Sequence, residues 1–364
     1  MKDKMRRLFR RSVRDQRGQV FFFVAAIIGI LGGMAAVAVD LGSYSADRRD
    51  LQNAADAIAL AASLELPNES DAVAAANQWA AKNGIDLVDM TVTIIPQNLP
   101  SEPNPRVRVE IERDHEFTFA RLIGITTADV TAGTSAIKTS AAGGDGVAPL
   151  AVTEAALAGA TLGAEIVLKY DRNNIMNGNT GPIRIDGPGS GSCGGSDKYC
   201  TGLKFGSENV VCAQGADDTY CDGPSVVDTE PGNKIGPTES ATTYRLDNTD
   251  SACDEFDDVF EVDPAVPGGG TYRIVQACNP FLASSNESRR VLIVPVIEEL
   301  CSGGSCEVTI VDFALFFLER IGDNGCTGND CEVVGRFVRV NQNVGLLAGT
   351  FNPDSTNQFV RLVD

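Results

Sequence analysis

Residues 20–39 read VFFFVAAIIGILGGMAAVAV and contain no charged side chain. Twenty helical residues rise about 30 Å, which matches the thickness of the hydrocarbon core of a bilayer. Three glycines, Gly29, Gly32 and Gly33, would weaken a water-exposed helix but are common in membrane-spanning helices. The stretch therefore predicts a transmembrane helix, which we place over residues 18–41.

The charges that flank this stretch predict its orientation. Residues 1–17 hold eight basic and two acidic residues, a net charge of +6, whereas the whole chain of 364 residues carries −19. Basic residues beside a span stay inside the cell, so we expect 1–17 to be a cytoplasmic tail and the C-terminal ectodomain to be extracytoplasmic. A cleaved signal peptide is the alternative. The apolar run is longer than such peptides have, which favours an uncleaved, single-pass signal anchor in the cell membrane.

The helix is expected to continue beyond the membrane, over residues 42–66. Residues 44–66 contain no glycine or proline, and small apolar residues recur at helical spacing: Leu51, Ala54 or Ala55, Ile58, and Ala61 or Ala62. Such a stripe permits close packing against a helix of a partner subunit or against the chain's own ectodomain, and the second is favoured. Gly29 and Gly33 form a similar small-xxx-small face within the span, which either packs against another helix or reflects ordinary membrane-helix composition.

Residues 67–140 predict a small module with the order α-β-β-α-β. Ser70 and Asp71 can cap a helix that stops at Gly84. The remaining elements are two strands with alternating apolar residues, a short amphipathic helix and a third strand, at 89–96, 106–112, 117–125 and 129–140.

The sequence AAGGDG at 141–146 predicts a flexible joint, and residues 147–364 a separate β-rich domain. Six runs rich in β-branched and aromatic residues read as strands of a mostly antiparallel sheet: EIVLKYD, GPIRID, TYRIVQA, RRVLIVPVIE, CEVTIVDFALFFLE and CEVVGRFVRVN. The predicted fold class is therefore α+β, with a long N-terminal transmembrane helix, the small module and a disulfide-stapled ectodomain.

All ten cysteines lie between Cys193 and Cys331, and an even number confined to one region predicts disulfides in an oxidising compartment. Local spacing suggests five pairs: Cys193–Cys200, Cys212–Cys221, Cys253–Cys278, Cys301–Cys306 and Cys326–Cys331. Zinc is the rival interpretation. It is disfavoured because no CxxC pair occurs and the only histidine, His115, is distant in sequence.

Composition and motifs argue against several classes of function. A sequence pI near 4.5 disfavours nucleic-acid binding, which needs a basic face. His115 is expected on the surface, and no GxSxG or phosphate-loop motif occurs. Two acidic loops, 171–179 and 323–330, lack the order of calcium ligands in an EF-hand, so ordinary turns are favoured. We predict no catalytic residue, no cofactor and no metal site.

The stretch from Gln16 to Leu66 also resembles a known family, the TadE/TadG-like Flp pilus-assembly proteins. The resemblance depends on VDLG at 39–42 and LQNAADA at 51–57, followed by Leu60-Ala61-Ala62. The motif residues are Gly18, Asp40, Leu51, Gln52, Asn53 and Asp56. Weaker similarity to the family continues in the stretch 106–136 and, as in TadG-related proteins, at 228–238, 289–298, 313–319 and 335–338.

The resemblance implies a non-enzymatic, membrane-anchored structural or assembly component of a Tad-type (Flp) pilus. Its partners would be the lipid bilayer and other pilus-assembly or pilin subunits, contacted through the N-terminal helix. The chain lacks the metal motif of the von Willebrand A domain that TadG-type chains often carry. Pilins of this system have a glutamate five residues after their cleavage glycine, whereas this chain has Phe23, which argues for an uncleaved anchor. The alternative function is a surface adhesin or ligand-binding ectodomain; an exported hydrolase is disfavoured.

Overall fold

The computed structural model describes residues 17–96, 104–169, 180–187, 198–216, 221–232, 234–263, 271–282, 288–300, 305–322 and 331–363, together with Cys193 and Cys326. Its α-helices are α1 Arg17–Leu64, α2 Glu69–Lys82, α3 Glu154–Ala158, α4 Lys198–Phe205, α5 Ile235–Asp247 and α6 Phe256–Val259. Its 3₁₀ helices are Leu87–Asp89, Ala120–Ile123 and Gln276–Cys278.

The first eight strands are β1 Met90–Ile95, β2 Arg106–Glu116, β3 Thr127–Gly144, β4 Leu150–Thr153, β5 Glu165–Lys169, β6 Thr180–Pro182, β7 Val211–Cys212 and β8 Val226–Asp228. The remaining strands are β9 Phe260–Val262, β10 Tyr272–Ile274, β11 Val291–Ile297, β12 Glu307–Ile321, β13 Val333–Val338, β14 Leu347–Ala348 and β15 Gln358–Val363. This mixture of helix and sheet, with a long apolar N-terminal helix and a β-rich C-terminal region, confirms the predicted fold class.

The transmembrane and juxtamembrane helices predicted over 18–41 and 42–66 are one continuous helix, α1. Its C-terminal half packs with α2 on one face of the sheet β1-β2-β3. In β2 the inward residues Val107, Val109 and Ile111 are buried, whereas the residues between them face solvent. The alternation seen in the sequence thus places one face of this sheet against α1.

The small-residue stripe of α1 is covered by the chain itself. Leu51, Ala55, Ile58 and Ala62 are at most 1% exposed and share one apolar cluster with β2 and β3. Alanine at these positions lets the helix approach the strands closely, because its side chain is short. Packing on the chain's own ectodomain was the favoured prediction and is confirmed.

The predicted flexible joint at 141–146 is wrong for residues 141–144, which are the end of β3. Residues 141–144 pair with β14 and β7, and a side chain on Gly143 would come within 2.4 Å of Cys221 Sγ. Small residues here serve close packing and not flexibility. Strand β15 returns from the C-terminal region and pairs with β3 over residues 135–140, so the predicted 67–140 module shares its sheet with the end of the chain.

The C-terminal sheet has the order β5-β13-β12-β11-β4-β6, with β8 paired to the start of β12. The pairs are antiparallel except for β11 and β4. In β12, Phe313, Leu315 and Phe317 face one apolar cluster and the residues between them face another. Burial on both faces explains why β11 and β12 are almost continuously apolar.

Four described helices, α3 to α6, occur in the region that the sequence predicts as β-rich with glycine-rich connections, and α4 and α5 are the longest of them. Helix α5 reads IGPTESATTYRLD, and its glycine, proline and three threonines give it a weak helical propensity. The side chain of Arg245 fixes it by donating to the carbonyls of Leu203 and Arg289. Burial lowers the pKa of the Arg245 guanidinium to about 10. Tertiary packing therefore outweighs local propensity here.

The described residues contain four disulfides: Cys193–Cys200, Cys212–Cys221, Cys253–Cys278 and Cys326–Cys331. They are four of the five pairs that local spacing suggests. Cys306 is also disulfide-bonded, and its suggested partner Cys301 lies outside the described residues. The C-terminal region is therefore stapled within short stretches of chain, and no zinc is needed to account for these eight sulfurs.

Candidate membrane anchor and its junction with the ectodomain

The N-terminal half of α1 presents an uncovered apolar surface. In the most apolar stretch of 18 residues, no residue is buried by the rest of the described chain. The helix is long and apolar enough to cross a membrane. Phe22 is 76% exposed and Met34 is 66% exposed. In water, such a surface would be strongly unfavourable, so this part of the helix needs an apolar environment.

The glycine face of the span is open. A side chain added at Gly29, Gly32 or Gly33 would meet no atom within 4 Å. The small-xxx-small arrangement of Gly29 and Gly33 is thus not used for packing against the described part of this chain.

Asp40, the first acidic residue after the apolar run, joins the helix to the sheet. Its side chain is only 6% exposed. Its carboxylate accepts hydrogen bonds from the backbone N–H groups of Thr118, Phe119 and Ala120, at 2.9, 3.1 and 2.7 Å. These N–H groups lie at the N-terminal end of the 3₁₀ helix Ala120–Ile123. Backbone N–H groups at that end of a helix lack partners within the helix. Asp40 therefore ties the end of the span to the turn between β2 and β3.

A second contact lies one turn farther along the same face of α1. His115, at the end of β2, is only 6% exposed, so the expected surface histidine is wrong. Its Nδ1 lies 2.6 Å from Asp47 Oδ2, and its Nε2 lies 3.3 Å from Ser43 Oγ. Tyr44 packs edge-on against the imidazole ring and donates to the carbonyl of Asp129. The helix and the β2–β3 hairpin are thereby joined by polar and aromatic contacts.

The order Ser43, His115, Asp47 matches the hydrogen-bond sequence of a serine-hydrolase triad, but the geometry argues for a structural role. Ser43 Oγ donates its one hydrogen to the Asp40 carbonyl at 2.9 Å, so towards His115 it can only accept. A nucleophilic serine must instead give its proton to the histidine. The sequence could not show this cluster, because helix and strand residues about 70 positions apart meet only after folding.

The other motif residues take different places on α1. Gln52 Nε2 donates to Asp56 Oδ1 at 2.8 Å and contacts the Gly133 carbonyl of β3 at 3.4 Å. Leu51 is buried, Asn53 is exposed, and Gly18 lies in the first turns of the helix. The polar pair Gln52 and Asp56 thus borders the buried stripe on its strand side.

The far end of α1 is held by a half-buried lysine. Lys138 Nζ, from β3, donates to the carbonyls of Leu64 and Leu66 at 2.8 and 2.7 Å. Leu64 is the last residue of α1 and Leu66 lies in the turn that follows it, and at a helix C-terminus backbone acceptors lack partners and cations are favoured. Burial lowers the pKa of the Lys138 ammonium, although the charge of Glu65 raises it. The helix is therefore anchored to the sheet at both ends of its packed half.

The two loops considered for calcium, 171–179 and 323–330, lie outside the described residues apart from Cys326. Among the residues that the structure does describe, no group of three or more His, Cys, Asp or Glu side chains could hold a metal ion.

The comparison with known families concerns the part of the chain just described. Residues 18–77 match the family of putative Flp pilus-assembly TadE/G-like proteins. The N-terminal segment is TadE/G-like. No curated protein and no solved structure matches the chain.

The TadE/G-like segment begins at Gly18 and ends at Asn77, within α2. It therefore contains the exposed apolar helix, the residues that contact the sheet and most of the helix that packs beside them. The motif residue Asp40 lies where the exposed and packed halves of α1 meet. This position gives a physical reason for an aspartate after the apolar run, because the adjoining turn presents backbone donors there.

Proposed function

We propose that this protein is a membrane-anchored structural or assembly component of a Tad-type (Flp) pilus, without enzymatic activity. The match of residues 18–77 to TadE/G-like pilus-assembly proteins carries the proposal. The same residues form a helix whose first half is exposed and apolar and whose second half is fixed to an ectodomain. Such a helix can hold a folded domain at a defined place on a membrane.

The proposed topology places the N-terminus in the cytoplasm and the ectodomain outside it. The net charge of +6 on residues 1–17 supports this orientation. The four disulfides of the C-terminal region support it independently, since disulfides persist in oxidising compartments and are rare in the cytosol.

The proposed partners, other pilus-assembly or pilin subunits, would contact the N-terminal helix through its uncovered part. The stripe around Leu51, Ala55 and Ile58 is buried in the chain's own core and is not available to a partner helix. Contacts within the membrane would use the exposed surface of residues 20–39. This surface carries bulky apolar side chains together with three glycines that no other described part of the chain contacts.

The test begins with cells that carry the native gene. Surface filaments are sheared off, and the filament and membrane fractions are probed for this chain, in parallel with a deletion strain. Recovery with the filaments would make the protein a filament subunit. Retention in the membrane, together with loss of pili on deletion, would make it an assembly or anchoring factor. Intact pili after deletion would refute the pilus role and favour the surface adhesin.

A pair of charge substitutions separates anchoring from general damage. Ile30→Arg puts a charge at the middle of the span, which disfavours insertion by about 2.5–3.5 kcal/mol. Val88→Arg puts the same charge on a residue that is 92% exposed outside the span. In the deletion strain, the Ile30→Arg chain should leave the membrane fraction and fail to restore pili. The Val88→Arg chain should restore them.

A further inference from the structure

The turn between β2 and β3, residues 117–125, carries an apolar patch that the fold leaves uncovered. Phe119, Leu122, Ile123 and Ile125 are between 40% and 82% exposed. Four adjacent exposed apolar side chains in one ordered turn form the kind of patch that marks an interaction surface.

The turn is held in one conformation, so the exposure of these side chains is built into its backbone. Phe117 N–H donates to the Thr126 carbonyl at 2.9 Å, and Ile125 N–H donates to the Ala120 carbonyl at 3.1 Å. Gly124 has a φ of 92°, a left-handed conformation that closes the turn after Leu122 and Ile123. The two most exposed residues, at 82% and 79%, are therefore fixed at its tip.

The position of the turn identifies what covers it. The three N–H groups bound by Asp40 belong to this turn, and Asp40 directly follows the uncharged run 20–39. Strand β2 runs along α1 towards the span, with His115 beside Ser43 and the turn beside Asp40. The turn is thus the part of this hairpin nearest the membrane, at the level where the apolar helix surface ends.

We propose that the 117–125 turn inserts its apolar side chains into the outer interface of the bilayer and forms a second membrane contact beside the span. Arg121 lies in the same turn: its Nε donates to the Phe117 carbonyl, its Nη2 lies 3.4 Å from Glu116 Oε2, and half of its side chain stays exposed at the level of the lipid head groups. One helix alone leaves the ectodomain free to tilt on the membrane. A second contact fixed to Asp40 would hold the sheet at a set angle to the bilayer. This inference rests on the membrane anchoring proposed above.

The test uses tryptophan as a depth probe in the full-length chain, reconstituted into phosphatidylcholine vesicles that contain lipids brominated at acyl carbons 6 and 7. The only native tryptophan, Trp79, is first replaced by Trp79→Phe. Three single probes are then compared: Leu122→Trp in the turn, Ile30→Trp in the span and Leu362→Trp as a control. Leu362 is 41% exposed and pairs with Ala136, near the C-terminal end of α1. That end, Leu64, lies about 36 Å beyond Asp40 at 1.5 Å per residue.

We expect the emission of the probes at 30 and 122 to be quenched and blue-shifted, and that of the probe at 362 to be unquenched. Quenching at 30 without quenching at 122 would overturn the second contact and leave the anchor intact. A blue shift at 122 without quenching would overturn it as well, because a second copy or another protein would then cover the turn. Absence of quenching at 30 would overturn the anchor and the contact together. Quenching of all three probes would mean that the domain adsorbs non-specifically to the vesicles, and it would also overturn the proposal.

Discussion

At the scale of single residues, Asp40 shows how one side chain links the exposed apolar half of α1 to the folded remainder of the chain. A carboxylate as little exposed as that of Asp40, at 6%, is costly unless its oxygens are hydrogen-bonded. Here both oxygens accept hydrogen bonds from backbone N–H groups at the start of a 3₁₀ helix. The carboxylate thereby gains donors, and the N–H groups gain the acceptor that the helix itself does not supply. The His115 cluster one turn farther on reinforces the same junction.

Replacing Asp40 with alanine should loosen this junction without unfolding the rest of the chain. The N–H groups of Thr118, Phe119 and Ala120 would lose their acceptor, so we expect their amide hydrogens to exchange faster with solvent. Hydrogen–deuterium exchange of the full chain in detergent micelles measures this directly. Asp50→Ala is the matched control, because Asp50 is exposed on the same helix and should leave the turn unchanged. Equal exchange in the two variants would contradict the clamp.

At the scale of elements, α1 is one continuous helix whose two halves differ in their surroundings. Its first half is apolar on all sides, whereas its second half buries one stripe and exposes the rest to water. Because no break separates the halves, the orientation of the packed half fixes the direction in which the span leaves the ectodomain. Lys138 completes the attachment at the C-terminal end of the helix.

Replacing Lys138 with methionine keeps most of the volume and removes the donor to the two helix carbonyls. Leaving a buried acceptor without a partner costs about 1–3 kcal/mol, and because these two acceptors are only partly buried we expect a loss near the lower end and a lower unfolding temperature. Thermal unfolding of the full chain in micelles, followed by far-ultraviolet circular dichroism, measures the change. Lys82→Met serves as control, since Lys82 is exposed at the end of α2. An equal loss in both variants would show that Lys138 has no special role.

At the scale of the whole molecule, β3 connects the sheet that packs on α1 to the end of the chain. It pairs with β2, β15, β14 and β7 in turn along its length. The segment before β15 is held to the C-terminal sheet by Asp312 of β12, which accepts from Ser355 and Thr356. Burial raises the pKa of the Asp312 carboxyl, although these hydrogen bonds lower it. The two sheets therefore depend on a shared set of contacts.

This arrangement predicts that damage to β15 affects the whole ectodomain. Phe359 is 2% exposed, and its replacement by alanine should cost about 3–5 kcal/mol through lost burial and a cavity. Calorimetry of the full chain should show one unfolding transition, shifted as a unit to lower temperature. Leu362→Ala, at an exposed position of the same strand, should shift it little. Two transitions, with only one of them shifted, would mean that the sheets unfold independently.

The features that depend on local pattern could be predicted from the order of the residues. The uncharged run 20–39 identified the apolar helix, the spacing of Leu51, Ala55 and Ile58 identified its packed stripe, and the alternation in β2 identified a half-buried strand. Cysteine spacing also suggested the four disulfides seen here. Each of these signals repeats within a few residues, so neighbouring side chains alone reveal it.

The features that join distant parts of the chain became visible in the folded structure. It turned the expected joint at 141–144 into paired strand, formed α5 from a weak helical sequence, and brought β15 back to β3. It also gave Asp40 and His115 their partners about 70–80 positions away. Local pattern carries no information about such contacts, because their free energy arises only when the packed core brings both partners together and excludes water from between them.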